Sequence, residues 1–281
     1  MLRQRVITAL VLIGLLLGSL TSSRDWPFAA LALVLIAAAG WEWGRLNQAG
    51  ARLALAMGAA LAGAGALALV GDWSERAPAA LWWGVTALWL ICGAFALRAG
   101  PAVWPQLPRP ARWGLGLVAL WSAWLALAHA RAIGINFMLS LLCLVWMADV
   151  AAYFGGRAFG RRKLALSISP GKSWEGVWSG MAGALALALF WTWLDKRFAF
   201  DSTSLYSSLV EALGWVGAAL AVLALCGLSV VGDLIESLVK RAAGAKDSSR
   251  LLPGHGGVLD RVDALLPVMP AALALMTLRA T

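Results

Sequence analysis

The chain has 281 residues, 61% of them hydrophobic and only 13% charged, with a formal charge of +9. An ordinary water-soluble domain carries about 25% charged residues, so this composition excludes one and leaves an integral membrane protein. Cys92, Cys143 and Cys226 sit far apart inside apolar runs and in no CxxC spacing, which excludes a disulfide framework and a thiolate metal site.

Uncharged stretches run over 6–23, 26–41, 53–71, 77–97, 113–130, 132–148, 176–194, 212–232 and 264–278. A spanning helix needs roughly 17 to 25 apolar residues, so most qualify directly and the shortest qualify if flanking side chains snorkel. The expected fold is an all-α polytopic bundle of about nine transmembrane helices around a polar cavity that faces the cytoplasm. The opening MLRQR and its apolar run, ending in Ser19, Thr21, Ser22 and Ser23, read as a first span. Read instead as a cleaved signal, it would leave eight spans with nothing downstream reversed.

With a cytoplasmic N-terminus, most of the 23 cations fall on the inner side: Arg3, Arg5, Arg45, Arg52, Arg98, Arg109, Arg112, the group 157–172 and the group 240–261. This bias predicts a bacterial-type inner (plasma) membrane protein with both charged loops in the cytoplasm. Positive-inside topology is sufficient to explain the net charge. Attraction of anionic headgroups and of a polyphosphate substrate is a further reading, and nucleic acid is not an expected partner.

The second span ends in WEWGRL, where Trp41 and Trp43 fit an interfacial belt and Glu42 and Arg45 could pair one turn apart. Residues 1–131 read as a scaffold of about five spans rich in Ala, Leu and Gly, broken by a Pro-rich surface loop over 101–110. His129 reads as an interfacial or core residue. Residues 132–281 read as the catalytic region of about four spans, with motif loops over 149–175 and 233–263.

The first loop starts within WMADVAAYFGGRAFG, where Asp149 at membrane depth demands a polar cavity, a cation or a partner. Arg157, Arg161, Arg162 and Lys163 suit equally a phosphate rim and membrane anchors. In SPGKSWEG the Gly171-Lys172-Ser173 run imitates a Walker A loop, but Leu166 stands where that motif needs its first Gly. The expectation is a Pro-Gly turn that presents Ser169, Lys172 and Ser173 before a helix starting near Trp174 and Glu175. That is an anion site by the physics of helix N-termini, and Ser173 as a simple N-cap is compatible with it.

In the second loop, GDLIESLVKRAAGAKDSSRLLPGHGGVLDRVD, the eighth helix is predicted to continue past Gly232. Asp233, Glu236, Ser237 and Lys240 then share one face. LLPGHGG has no room for a regular element, and Asp260 and Asp263 stand three apart at the next helix start. Carboxylates Asp233, Asp260 and Asp263 among cations, with His255 alone in its loop, favour magnesium over zinc.

The run from Ser237 through Lys240, Arg241, Lys246 and Asp247 to Pro253–Asp263 resembles the signature of the phosphatidate cytidylyltransferase (CDP-diacylglycerol synthase) family, and the 146–176 region resembles that family's other typical stretch. Departures are Val150 and Ala151, Ser173 for the commoner Thr, and Ala264 after Asp263. The resemblance implies transfer of a cytidylyl group from CTP to phosphatidic acid, with magnesium, giving CDP-diacylglycerol and pyrophosphate. It implies Asp233, Asp260 and Asp263 as metal ligands and Lys240, Arg241, Lys246 and Arg261 as phosphate clamps. His255 is then a donor to the leaving group, and Lys172, Ser169 and Ser173 contact the nucleotide or lipid phosphate. Asp247 belongs with the catalytic set, and Asp149, Glu175 and Ser237 with the substrate-binding set. A second cation and a homodimer are left open. The rival readings are another membrane phosphotransferase, such as a CDP-alcohol phosphotransferase, whose DG-x-x-AR core is lacking here, and a non-enzymatic transporter.

Overall fold

The computed structural model describes residues 2–22 and 24–280, and side chains from residue 10 to 278 apart from residue 12 and residue 23. Met1, Ser23 and the side chains of Arg3 and Arg5, used above for the first span and its orientation, lie outside the described residues. The elements are α1 (Leu2–Leu20), α2 (Trp26–Leu46), α3 (Ala51–Val70), the short α4 (Trp73–Arg76), α5 (Ala79–Ala99), α6 (Arg109–Ile133), α7 (Ile135–Phe159), β1 (Lys163–Ala165), β2 (Ser169–Ser173), α8 (Trp174–Arg197), α9 (Leu205–Ala242), the short α10 (Leu259–Val262) and α11 (Leu265–Met276). The chain is an all-α membrane bundle. Among the described residues, α2, α3, α5, α6, α7, α8 and α9 are long and apolar enough to cross a bilayer.

The sequence count of nine is approximate, chiefly because of its last member. α11 has 12 residues, a length of about 18 Å against a hydrocarbon core of about 30 Å. Every residue from Leu266 to Ala274 is buried. It packs against α9, α5 and α6, so it fills the middle of the bundle instead of facing lipid. One hydrophobic core therefore joins residues of both halves of the chain.

α7 and α8 pack closely along their length because their facing residues are small. A methyl group added at Gly180 would come within 2.8 Å of the Ala148 carbonyl oxygen, and one at Gly183 within 2.7 Å of the Ala151 Cβ. Helices in lipid gain no hydrophobic effect from association, so such close backbone approach supplies their packing energy. The two helices are joined by the antiparallel pair β1–β2, in which Lys163 faces Ser173 and Ala165 faces Ser169. The Pro-Gly turn expected at Pro170 and Gly171 is therefore corrected: both lie in β2, and the reversal falls at 166–168. Pro170 is tolerated because a two-stranded ribbon has free edges. Ser173 does cap α8, its Oγ accepting from the Gly176 N–H at 3.2 Å.

The Pro-rich loop over 101–110 is tied down as well. Trp104 is buried and donates from Nε1 to Asn47 Oδ1 at 2.9 Å. At the opposite ends of the helices, Asp201 Oδ1 accepts from the Asn136 N–H at 3.0 Å, capping α7. The Asn136 amide donates to Asp195 Oδ1 at 2.9 Å and to the Ser202 carbonyl at 2.7 Å. His129 has its Nδ1 2.6 Å from the Ser74 carbonyl and its ring beside Trp82, a structural role.

Because Asp201 holds otherwise orphaned N–H groups at the α7 start, Asp201→Ala is expected to lower stability by about 1–2 kcal/mol. Thermal unfolding in detergent checks this, and an unchanged midpoint would refute it.

Candidate active site

α9 brings the chemistry into the bundle. It is kinked at Gly214 and then continues to Ala242, as the sequence predicts for the segment beyond Gly232. Asp233, Glu236, Ser237 and Lys240 lie along one side of it. Ser237 Oγ donates to Asp233 Oδ1 at 3.3 Å. Lys240 Nζ sits 2.5 Å from Glu236 Oε2 and 2.6 Å from Asp260 Oδ1. The Glu236 side chain is only 3% exposed, and an ammonium held between two carboxylates offsets the desolvation of all three groups. Lys172, on β2, forms an ion pair with Asp233 Oδ2. Gly232 permits the next step, since a methyl there would strike the Asp263 carbonyl oxygen and the Pro267 ring. The absent side chain lets α9 touch the start of α11, which sets Asp263 beside Asp233.

Asp260 is engaged through both of its oxygens. Its Oδ1 accepts from Lys240, and its Oδ2 accepts from the Ser248 N–H at 2.9 Å, the Ser248 hydroxyl at 3.0 Å and the Gly257 N–H at 2.8 Å. Burial alone would push its carboxyl up, but the Lys240 ammonium and these donors outweigh that and bring it down to about 2. Asp263 moves the other way. Burial and then the charge of Asp233 raise its carboxyl well above the usual range, against smaller opposing effects of the Ala264 N–H, Lys172 and Lys240.

A cavity of about 570 Å³ opens between α7, α8 and the β2 end, lined by Asp149, Arg157, Lys172, Ser173 and Asp233 among small and apolar residues. Asp149 thus faces a polar cavity shared with a cation, the condition that its depth in α7 demands. Other site candidates stand outside this cavity. Ser169 lies further along β2. Glu175 accepts the Arg161 and Arg162 backbone N–H groups at 3.1–3.2 Å, which folds the hairpin onto α8. Arg241 donates to the Ile168 carbonyl at 3.3 Å, and Arg261 donates to the His255 carbonyl at 2.5 and 3.1 Å. Lys246 and Asp247 are exposed on the loop, and His255 Nδ1 is buried.

Sequence reasoning missed Glu42. It does not pair with Arg45, and Trp43 is not a belt residue. Trp43 is buried and donates to the Arg112 carbonyl at 2.8 Å, and Arg45 lies over the Trp41 ring. Glu42 is fully buried, and its carboxylate accepts from Ser248, Ser249, Val258 and Leu259. The signal was available: a lone acid at the end of an apolar run needs a partner, and the nearest cation was credited with the role.

Among the described residues no group of three or more His, Cys, Asp or Glu is close enough together to hold a metal ion. The acids divide into Asp260 and Glu236 on Lys240, and Asp233 and Asp263 near Lys172. The second set fits magnesium, a hard cation that is ordinarily held by one or two carboxylates and completes its shell with water and substrate phosphate.

Fold and site together define a membrane-embedded protein whose charged site is built where spanning helices end. The comparison with known sequences is specific: residues 3–279 match the Cytidylyltransferase family, and the chain belongs to it. It is similar to the phosphatidate cytidylyltransferase of Pseudomonas aeruginosa, 38% identical over 98% of this chain and 97% of that protein. That of Haemophilus influenzae is 35% identical over 96% of each chain. That of Brucella suis is 48% identical over 145 residues, 52% of this chain and 47% of its own.

The raised Asp263 carboxyl has a measurable sign. A group whose folded value lies above its unfolded value contributes stability below the unfolded value and loses it as pH rises through the folded one. Asp263→Asn is therefore expected to melt higher than the parent in EDTA at pH 8, with the gap closing as pH falls toward 4. A gap independent of pH would sink this account.

Proposed function

We propose that the protein transfers the cytidylyl group of CTP to phosphatidic acid, releasing pyrophosphate and CDP-diacylglycerol for phospholipid synthesis. The observation that carries this reading is the likeness, over nearly the whole chain, to proteins named phosphatidate cytidylyltransferase, joined to a cation-lined cavity set among spanning helices.

The chemistry suits these residues. The nucleophile is a phosphate monoester whose second pKa lies near 6, so it is mostly dianionic at neutral pH and no general base is needed. One phosphate oxygen attacks the α-phosphorus of CTP, the bond to the β-phosphate oxygen breaks, and pyrophosphate leaves with that electron pair. The barrier lies in bringing two anions together, which calls for preorganised positive charge. Lys172 and Arg157 meet phosphate in the cavity. Lys240, fixed by Glu236 and Asp260, presents its charge from the α9 side, and Arg241, Lys246 and Arg261 supply cations around the loop. Asp233 and Asp263 would hold magnesium, which would supply positive charge for the departing pyrophosphate, and Lys172, paired with Asp233, stands at the same place to meet phosphate. Asp260 would join that set only by giving up Lys240. The lipid reaches the cavity sideways from the cytoplasmic leaflet, the side given by the cation bias.

The test is incorporation of label from cytidine-labelled CTP into chloroform-extractable lipid by purified protein with phosphatidic acid and magnesium. The parent should label lipid, and Asp233→Asn should lose about 100-fold or more of that rate, the range seen when one transition-state-stabilising contact is removed. A folded parent that labels nothing would overturn the assignment.

A further inference from the structure

Glu42 is a buried acid that the proposed chemistry leaves unused. It lies on α2, in the half of the chain read as scaffold, and is 0% exposed. Both of its oxygens are filled from the loop after α9. Oε1 accepts from Ser249 Oγ at 2.5 Å and the Val258 N–H at 3.0 Å, and Oε2 accepts from Ser248 Oγ at 3.1 Å and the Leu259 N–H at 2.7 Å. Val258 and Leu259 are the residues at which α10 begins. The Ser248 hydroxyl lies within hydrogen-bond distance of both Glu42 and Asp260, whose other oxygen carries Lys240. A continuous chain of contacts thus runs from α2 through Ser248 and Asp260 to Lys240.

Gly257 adds an independent observation. A methyl there would collide with Ser248 Oγ and sit 2.6 Å from Glu42 Oε1. The loop backbone is therefore packed against this carboxylate so closely that only glycine fits. A buried carboxylate with no ion pair among the described residues needs hydrogen-bond donors, and two backbone N–H groups and the Ser249 hydroxyl supply them, while the single Ser248 hydroxyl proton is shared with Asp260.

We propose that Glu42 is a positioning residue for cytidylyl transfer. It clamps the 247–259 loop to α2 so that Asp260 holds Lys240 in its phosphate-facing place, and the N-terminal half thereby sets the geometry of the catalytic half. This rests on the function proposed above and deepens it. Glu42 touches no substrate and acts through Ser248, the α10 backbone and Asp260.

The test compares Glu42→Gln with the parent. Gln keeps the volume but turns an NH2 toward two of the four donors, and at least one backbone N–H loses its acceptor. The variant's kcat should fall by about tenfold or more, the loss of one charge-assisted hydrogen bond. The KM for phosphatidic acid should stay within about twofold, since the lipid site is untouched. Amide hydrogen exchange at Val258 and Leu259 should quicken by about tenfold or more. A purely structural role would lower the melting temperature while leaving kcat and these amides at parental values. Ser249→Ala, which removes one donor at the loop surface and leaves Asp260 alone, serves should Glu42→Gln fail to fold, and should move kcat and exchange in the same direction by a smaller factor. Parental kcat and parental exchange in whichever variant folds would overturn the proposal. A parent inactive with CTP and phosphatidic acid would instead overturn the function on which it rests.

Discussion

Lys240 lies between Glu236 and Asp260, and the rest of the site is arranged around that contact. A lysine at the end of a spanning helix is tolerable when its charge is matched, and a glutamate 3% exposed is tolerable only beside a cation. The contact crosses from α9 to α10, so the mutual need of the two charges also decides where the intervening loop must close. Without it, Asp260 would lose its principal counter-charge, and the donors from Ser248 and Gly257 would meet a carboxylate with less reason to stay buried. Lys172 and Asp233 repeat the arrangement on the cavity side, where β2 is pinned to α9.

Asp260 and Asp263 differ in what surrounds them. Asp260 is saturated with donors and is held low. Asp263 has the Ala264 N–H and two more distant cations, faces the charge of Asp233, and is driven up. The contrast comes from surroundings alone: a lysine and hydrogen-bond donors lower one acid, while burial and a like charge raise its neighbour.

Some of this was legible in the sequence because it depends on helical period alone. Asp233, Glu236, Ser237 and Lys240 share a face by spacing, Ser173 caps a helix by its place before Trp174, and Asp149 needed a polar cavity by its depth. What was not legible depends on pairing between distant segments. The partners of Glu42 lie 206 to 217 residues further along the chain, so the local alternative, Arg45, was the only one that spacing could offer. SPGKS has the composition of a turn, and its strand exists only because 163–165 lies alongside it. An apolar run the length of 264–278 reads alike as a short span or as a buried helix. Its outcome was decided by α5, α6 and α9 closing around it.

The N-terminal half reads as scaffold because it contains few charges, and Glu42 is a fully buried carboxylate within it. In lipid a charge is placed where it has partners or not at all, so sparseness raises the information carried by each charge that remains. Glu42 sits at the end of α2, on the same side of the bundle as the α9–α10 loop, and that loop has no regular secondary structure of its own between Ala242 and Leu259. Beyond the single Leu252–Gly256 bridge, such a segment must satisfy its backbone elsewhere. Here the Val258 and Leu259 N–H groups find their acceptor on a helix in the other half of the chain, and the loop is held against α2 through them.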